Sequence, residues 1–130
     1  MNFDHSDKVK ALLARLEAFM DAHVYPHEAD YYHWVHDPAH LWQEWPKMEA
    51  LKDKARADGL WNLFLPHDYG ALSPGLTNLE YAPLAEVMGR VPFSSQIFNC
   101  SAPDTGNMEV LAKFGSPAQQ ARWLQPLLNG

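Results

Sequence analysis

The most informative stretch of this sequence is Phe98-Asn99-Cys100-Ser101-Ala102-Pro103-Asp104-Thr105-Gly106-Asn107. Its small polar residues lie among apolar ones, a mixture that is typical of an apolar cleft with a few directed hydrogen bonds. The same residue types also favour a junction between two helices, because Ser, Asp and Asn side chains accept hydrogen bonds from free backbone N–H groups at helix starts. Composition alone favours the junction over one wall of a ligand pocket, and both interpretations stay open at this point.

Two helices are predicted downstream of this stretch. A helix from Asp104 carries apolar residues at helical spacing to a stop at Gly115. Ser116-Pro117-Ala118-Gln119 then has the capping-box spacing, with Pro at the first helical position. This pattern predicts a last helix that ends at about Leu124 or Leu128.

Two more helices are predicted upstream. Thr77-Asn78-Leu79-Glu80 has the Thr-x-x-Glu spacing of a capping box, which predicts a helix from there to about Gly89. Pro83 inside this segment predicts a kink or a late start. After it, a short helix is expected from Ser94 or Ser95 to about residue 100.

The first half of the sequence also reads as helical. Residues 6–24 carry apolar side chains at the three-four spacing of an amphipathic helix, and Pro26 starts a short helix followed by an irregular connection through residues 27–45. Pro46, at a first helical position, and Gly59 bound a third helix. Residues 61–65 lack strand alternation. The sequence therefore predicts an all-α domain, orthogonal or bundle-like, of about six helices.

Length, charge and cysteine count exclude several classes of protein. The 130 residues are expected to form one domain, residues 1–130, and the net charge of -6, with no cluster of unbalanced Lys and Arg, argues against nucleic acid as a partner. No apolar run is long enough for membrane insertion. The single cysteine, Cys100, excludes an internal disulfide and favours a reducing compartment, so a cytoplasmic location is expected.

The side chains that could carry chemistry give no catalytic or metal site. His23 and His27, and His36 and His40, have a spacing of four, which is found in metal sites on helices, but no HExxH pattern or cysteine pair accompanies them. Solvated or hydrogen-bonded histidines are the favoured interpretation. Cys100 lacks an adjacent base and is interpreted as a buried, inert thiol. We predict no catalytic residue, no metal ligand and no nucleotide loop.

Three blocks of the sequence do resemble a known family. Residues 59–66, 75–86 and 98–111 closely resemble the N-terminal helical domain of the acyl-CoA dehydrogenases, particularly the long-chain-acting branch. The closing pattern is similar to the end of that domain across the wider family, in Gly115, Gln119, Leu124, Pro126, Leu127 and Gly130. Nearly the whole chain takes part in this resemblance.

The resemblance implies a flavoprotein of fatty-acid metabolism, an oxidoreductase in which FAD accepts a hydride from the β-carbon of an acyl-CoA after a carboxylate base removes the α-proton. In that family a β-rich middle domain and a C-terminal helical domain hold the flavin, and the latter supplies the catalytic Glu. The sequence ends at Gly130, where the middle domain is expected to begin. We therefore expect both domains to be absent, FAD not to be held by this chain alone, and the chain alone to be inactive.

The resemblance also implies which residues contact substrate. In the family, the helix at residues 95–102 and its exit line the acyl and pantetheine tunnel, while the next two residues, Asp104 and Thr105, are expected to cap the following helix. The residues assigned to the tunnel lining are Phe98, Asn99, Ala102 and Pro103, with Cys100 and Ser101 as neighbours.

Acyl-CoA is the substrate that the resemblance implies. The expected partners are the middle and C-terminal domains, in the same chain or a separate one, and other copies in a homo-oligomer when the enzyme is intact. The alternative function is a non-catalytic helical binding or assembly module of the same fold, with an exposed apolar patch near Trp61, Phe64 and Trp123. A His-rich metal-binding protein is a third, less favoured hypothesis.

Overall fold

A computed structural model describes residues 4–130, and within them every regular element is a helix, apart from one isolated bridge between Pro66 and Leu76. The predicted all-α fold is confirmed. The α-helices are α1 Asp7–Phe19, α2 Glu28–His36, α3 Met48–Ala57, α4 Asn78–Met88, α5 Ser94–Ile97, α6 Asp104–Phe114, α7 Pro117–Gln119 and α8 Gln125–Leu128. Wider π-helical turns occupy Met20–Val24 and Gln120–Leu124, and 3₁₀ turns occupy Tyr25–His27, Pro38–His40 and His67–Leu72. Residues 117–128 are helical without a break and are called the terminal helix below.

Both predicted capping boxes are present. Thr77 Oγ1 accepts from the Glu80 backbone N–H at 3.2 Å, and a Glu80 carboxylate oxygen accepts from the Thr77 N–H at 2.9 Å. Ser116 and Gln119 make the same reciprocal pair at 3.3 and 2.8 Å. Each pair satisfies N–H groups that the first turn of a helix leaves free, so these short patterns fix where α4 and the terminal helix begin.

Several helix boundaries differ from the sequence prediction. Pro46 lies in a turn before α3, and Lys47 occupies the N-cap position. Pro83 lies inside α4 without delaying its start. The short helix α5 ends at Ile97 instead of continuing to residue 100, because Asn99 has a left-handed backbone, with φ 54°, which a helix cannot include.

The buried apolar side chains form two clusters. The main core lies between α1, α3, α4 and α5, where α1 packs along α4 and α3 against α5. The small core lies where α6 packs against the terminal helix and the segment after α3, and consists of Phe64, Leu65, Met108, Leu124 and Leu128. The main core consists of Leu16, Phe19, Met20, Val24, Trp45, Met48, Leu51, Ala55, Leu60, Leu63, Leu76, Leu84, Val87, Met88, Val91, Phe93, Ile97 and Phe98.

The segment that the sequence left irregular, residues 27–45, is held to the main core by aromatic contacts. Tyr31 on α2 stacks on Phe93 with ring centroids 4.1 Å apart, and buried Trp45 meets the same ring edge-on at 5.6 Å. The Trp45 indole N–H donates to Asp30. In the part of the chain that the structure describes, no helix has the combined length and apolar character needed to cross a bilayer.

Candidate functional site

The candidate site is the connection between α5 and α6, residues 98–103, which we call the wall segment. Its backbone turns sharply: Asn99 is left-handed, the Cys100 N–H donates back to the Ser95 carbonyl at 2.8 Å, and the Ala102–Pro103 peptide bond is cis. These features replace the regular helix predicted for residues 95–102. The wall segment is therefore a loop that follows a four-residue helix.

The start of α6 corrects another prediction. Among the described residues no side chain caps this helix, and Pro103 occupies the N-cap position. The Thr105 N–H instead donates to the Ser101 carbonyl at 3.1 Å. A backbone carbonyl of the wall segment therefore accepts the hydrogen bond that we expected a side chain of Asp104 or Thr105 to accept. The prediction that those two side chains cap the helix was wrong.

The predicted tunnel residues divide between the interior and the surface. Phe98 is fully buried in the main core, where its ring meets Phe19 edge-on at 5.2 Å. Ala102 and Pro103 are exposed, and Ser101 is half-buried, with its hydroxyl on the Ala102 carbonyl at 3.3 Å. The surface of the wall segment is therefore two apolar side chains beside one hydroxyl.

Asn99 is half-buried, and its amide is bound within the chain. Its Nδ2 donates to the Asn62 side-chain oxygen at 2.7 Å and to the Leu127 carbonyl at 2.9 Å. The Asn62 Nδ2 donates in turn to the Leu128 carbonyl at 2.9 Å, and the Asn62 backbone N–H donates to the Phe98 carbonyl at 3.1 Å. We call Asn62 and Asn99 the asparagine pair; it joins the wall segment, the segment after α3 and the end of the terminal helix.

Two further side chains hold the same helix end. The Trp61 indole N–H donates to the Leu128 carbonyl at 2.8 Å, and Arg56 Nη2 donates to the Asn129 carbonyl at 2.7 Å. The Arg56 guanidinium also lies 4.0 Å from the centre of the Trp61 ring. These donors satisfy carbonyls that the last turn of a helix leaves free. No pattern in the sequence predicted this role, although Trp61 and Asn62 stand together in the first block of the family resemblance.

Cys100 lies between the two cores, beside Tyr81. Burial raises the pKa of the Cys100 thiol to about 11, and burial likewise raises the pKa of the Tyr81 phenol, which the nearby thiol raises further. The Cys100 Sγ contacts the Phe98 carbonyl at 3.3 Å. A thiol with a raised pKa is protonated at neutral pH and is a poor nucleophile, which agrees with the inert thiol inferred from the sequence.

The histidines that suggested a metal site are engaged with aromatic rings. His40 stacks on Trp34 with centroids 3.5 Å apart, and His27 meets Trp45 edge-on at 5.8 Å. His36 Nδ1 lies 2.8 Å from the Tyr32 carbonyl. Within residues 4–130, no group of three or more His, Cys, Asp or Glu side chains is placed to hold a metal ion.

The wall segment lacks the donors that would hold the diphosphate of a flavin. Residues 98–107 contain no Lys or Arg, and their one glycine, Gly106, lies inside α6. Diphosphates are held in proteins by glycine-rich loops at helix starts or by cationic side chains. We therefore assign no flavin contact to this segment, and its exposed side chains are suited to contact with an apolar chain or an amide.

Comparisons with known proteins agree on one family. The family model "Acyl-CoA dehydrogenase, N-terminal domain" matches residues 6–130. Mouse "Acyl-CoA dehydrogenase family member 10" is 50% identical over 131 residues, which cover 96% of this chain and 12% of that protein. FadE2 of Mycobacterium tuberculosis, named a probable acyl-CoA dehydrogenase, is 48% identical over 133 residues, covering 100% of this chain and 31% of that protein.

A solved structure shares the fold. It comes from Mycobacterium abscessus and is described provisionally as an acyl-CoA dehydrogenase. The two structures superpose with a TM-score of 0.86 at 47% sequence identity, and the match covers 97% of this chain and 32% of the chain from Mycobacterium abscessus. The chain thus spans about a third of that structure, and less of the mouse relative. With a family model that matches almost its whole length, this chain belongs to the acyl-CoA dehydrogenase family and corresponds to the N-terminal domain of that family.

Proposed function

We propose that this chain acts as the N-terminal α-domain of a FAD-dependent acyl-CoA dehydrogenase, an enzyme that oxidises the Cα–Cβ bond of acyl-CoA thioesters. The observation that carries the proposal is the family match over residues 6–130, together with the fold shared with the solved relative. FAD, held by the remaining domains, supplies the hydride acceptor. Those domains come from the same polypeptide or from a separate one, and without them the chain is inactive.

The part of this chain that we assign to substrate is the wall segment. Ala102 and Pro103 present apolar surface that suits an acyl chain, and the half-buried Ser101 hydroxyl suits an amide of the pantetheine arm. Phe98, Asn99 and Cys100 lie behind this surface, where Phe98 packs in the main core. These six residues form one wall of the pocket in our proposal, and the other walls belong to the other domains.

The proposal extends to assembly and location. We also propose that the intact enzyme forms a homo-oligomer. Cys100 is a free thiol and agrees with a reducing compartment such as the cytoplasm.

A domain replacement tests the proposed activity. This chain would replace the matching domain of FadE2, and the fusion would be assayed for bound flavin and for dye reduction with palmitoyl-CoA; the 130-residue chain alone would be assayed in parallel. We expect activity from the fusion and none from the chain. An active chain, or a folded, flavin-bound fusion that fails to oxidise an acyl-CoA that intact FadE2 oxidises, would count against the proposal.

A matched pair of substitutions tests the wall. Ala102→Glu places a carboxylate on the proposed acyl surface, whereas Ala118→Glu places one on α7, where Ala118 is also exposed. We expect Ala102→Glu to lower kcat/KM of the fusion by at least about tenfold, because an apolar chain would meet a charge, and Ala118→Glu to change it by less than about twofold. Equal changes in kcat/KM for the two variants would show that the wall segment does not contact substrate.

A second candidate function is an assembly module of the same fold. The predicted apolar patch near Trp61, Phe64 and Trp123 is only partly right, since Phe64 is buried and the Trp61 N–H is bound internally. Trp123 is 46% exposed, and Phe114 at the end of α6 is 73% exposed. Sedimentation velocity of the chain over a range of concentrations decides this candidate: association that Phe114→Ser abolishes would support it, and a monomer throughout would remove it.

A further inference from the structure

We infer that Asn62 and Asn99 are positioning residues, which fix the wall segment to the end of the terminal helix and so set the place of the substrate wall within the domain. The inference rests on the proposed function and deepens it, because it gives Asn99 a role other than contact with substrate. It concerns residues that lie far apart in the sequence and meet only in the fold.

The backbone of both residues favours asparagine. Asn62 has φ 55° and Asn99 has φ 54°, in the left-handed region where Gly, Asn and Asp are the residue types most often found. Glycine would keep this backbone but bring no side chain. Aspartate would keep it but offer acceptors only. Asparagine is the one of these three that combines the left-handed backbone with both a donor and an acceptor.

The hydrogen bonds orient both amides. The Asn99 NH₂ group faces two acceptors, the Asn62 oxygen and the Leu127 carbonyl, so its nitrogen must lie on that side. The Asn62 NH₂ group faces the Leu128 carbonyl, which turns the Asn62 oxygen towards Asn99. Each amide therefore depends on the other, and removing either one takes one hydrogen bond from the end of the terminal helix. The Leu128 carbonyl then keeps only the Trp61 donor, or the Leu127 carbonyl only the Gly130 N–H.

The pair joins elements of different cores. Phe98, next to Asn99, lies in the main core, whereas Leu128 lies in the small core. The Asn62 backbone N–H donates to the Phe98 carbonyl, while its side chain reaches Leu128. The exposed residues Ala102 and Pro103 follow Asn99 within a few residues. A change in the pair therefore moves the wall relative to the helix that ends at Leu128.

Asn62 separates this inference from direct substrate contact, because it lies outside the wall segment. If Asn99 acts through the pair, removing the Asn62 side chain should have the same effect as removing the Asn99 side chain. The double variant should then show little more effect than either single variant. If Asn99 touches substrate, removing its side chain should have a larger effect than removing that of Asn62, and the two effects should be additive in the double variant. A matched control is Gln120, whose amide donates to the carbonyls of Leu111, Ala112 and Gly115 but only within the α6 to α7 turn.

The first experiment uses the 130-residue chain without ligand. Backbone hydrogen exchange would be measured for wild type, Asn62→Gly, Asn99→Gly, the double variant and the control Gln120→Ala. We expect each single Gly variant to speed exchange on the order of tenfold in residues 98–103 and 125–129 together, with little further change in the double variant. Gln120→Ala should act on residues 111–120. Unchanged exchange of residues 98–103 in Asn62→Gly would overturn the inference.

The second experiment uses the FadE2 fusion and palmitoyl-CoA. We expect Asn62→Gly and Asn99→Gly to raise KM by similar factors, on the order of tenfold, with kcat changed by less than about twofold, because the wall is misplaced while the reacting groups lie elsewhere. A rise in KM for Asn99→Gly alone would assign Asn99 to substrate contact and overturn the inference. An inactive wild-type fusion would contradict the proposed function, whereas the role of the asparagine pair would still be decided by the hydrogen-exchange experiment.

A milder variant keeps the test decisive if a glycine variant unfolds. Asn62→Asp retains the oxygen that accepts from Asn99 and removes one of the two donors to the Leu128 carbonyl, the other being the Trp61 indole N–H. We expect it to speed exchange in residues 125–129 more than in residues 98–103. The opposite order would contradict the inferred arrangement of donors and acceptors.

Discussion

The two hydrophobic cores of this domain are built differently. The main core is formed by many large apolar side chains, half of them from α1, α3, α4 and α5 and half from the segments between or next to these helices. The small core has few fully buried side chains, and its terminal helix is also held by directed hydrogen bonds from Arg56, Trp61, Asn62 and Asn99. Tyr81 and Cys100 pack against both.

The two cores differ in whether their packing fixes the position of particular groups. Apolar burial is non-directional, so the main core gives stability without fixing one arrangement of groups at the surface. Hydrogen bonds between an amide and a carbonyl need a defined distance and angle, so they fix the terminal helix relative to the wall segment. The substrate wall that we propose lies where these two kinds of packing meet.

The largest effects should come from removing buried side chains of the main core, and the first of these is the ring of Phe98 in the wall segment. Phe98→Ala removes a fully buried ring from the main core and should lower the free energy of unfolding by about 3–5 kcal/mol. Phe114→Ala deletes the same group from a position that is 73% exposed, so it should cost less than about 0.5 kcal/mol. Urea denaturation of the two variants measures both values. Similar losses would mean that Phe98 is not a core residue.

A pair of leucines compares the cores directly. Leu84 in the main core and Leu124 in the small core are both fully buried. We expect Leu84→Ala to lower the free energy of unfolding by about 3–5 kcal/mol and to speed hydrogen exchange throughout the domain. Leu124→Ala should lower it by about 2–3 kcal/mol, because fewer side chains lose contacts in the small core. Exchange should then rise first in α6 and the terminal helix. Leu79→Ala, at a residue 81% exposed, is the control. Uniform exchange in Leu124→Ala would show that the cores open as one.

The same division explains what the sequence could predict. The capping boxes at Thr77 and Ser116 and the glycine stop at Gly59 involve residues within three or four positions, so pattern alone located them. The all-α class followed from helical periodicity. Family resemblance singled out residues 98–103, although their contact with substrate stays a prediction.

The asparagine pair could not be predicted in this way. Asn62 and Asn99 are 37 positions apart, and Asn99 and the Leu127 carbonyl are 28 apart, so no local pattern relates them. The left-handed backbone at Asn99 also ended α5 earlier than its residue types indicated. Tertiary contacts overrode local preference here, as they do where hydrogen bonds between distant segments satisfy the backbone.

The boundary between the cores should give a pH dependence. The raised pKa of Cys100, from its ordinary value of 9.0 to about 11, means that the folded chain keeps a proton which the unfolded chain loses between these pH values. The free energy of unfolding should therefore fall as pH rises from about 9 to about 11, by about 1–2 kcal/mol. Cys100→Ala should remove this part of the slope and also reduce the contribution of Tyr81, whose pKa the thiol raises, while the part of the Tyr81 contribution that comes from burial remains in both proteins. Denaturant unfolding at a series of pH values measures the difference, and parallel curves would contradict the assigned burial.

The smallest effect concerns helix starts, where α4 in the main core has a side-chain cap and α6 at the small core does not. Thr77→Ala removes the hydroxyl that accepts from the Glu80 N–H and should cost about 1 kcal/mol. Thr105→Ala, at the start of α6, should change stability by less than about 0.5 kcal/mol, because the Ser101 carbonyl already accepts from the Thr105 N–H. Thermal unfolding of both variants compares them. If Thr105→Ala proved as costly as Thr77→Ala, a side chain would cap α6 after all, and the wall segment would depend less on its own backbone than its geometry indicates.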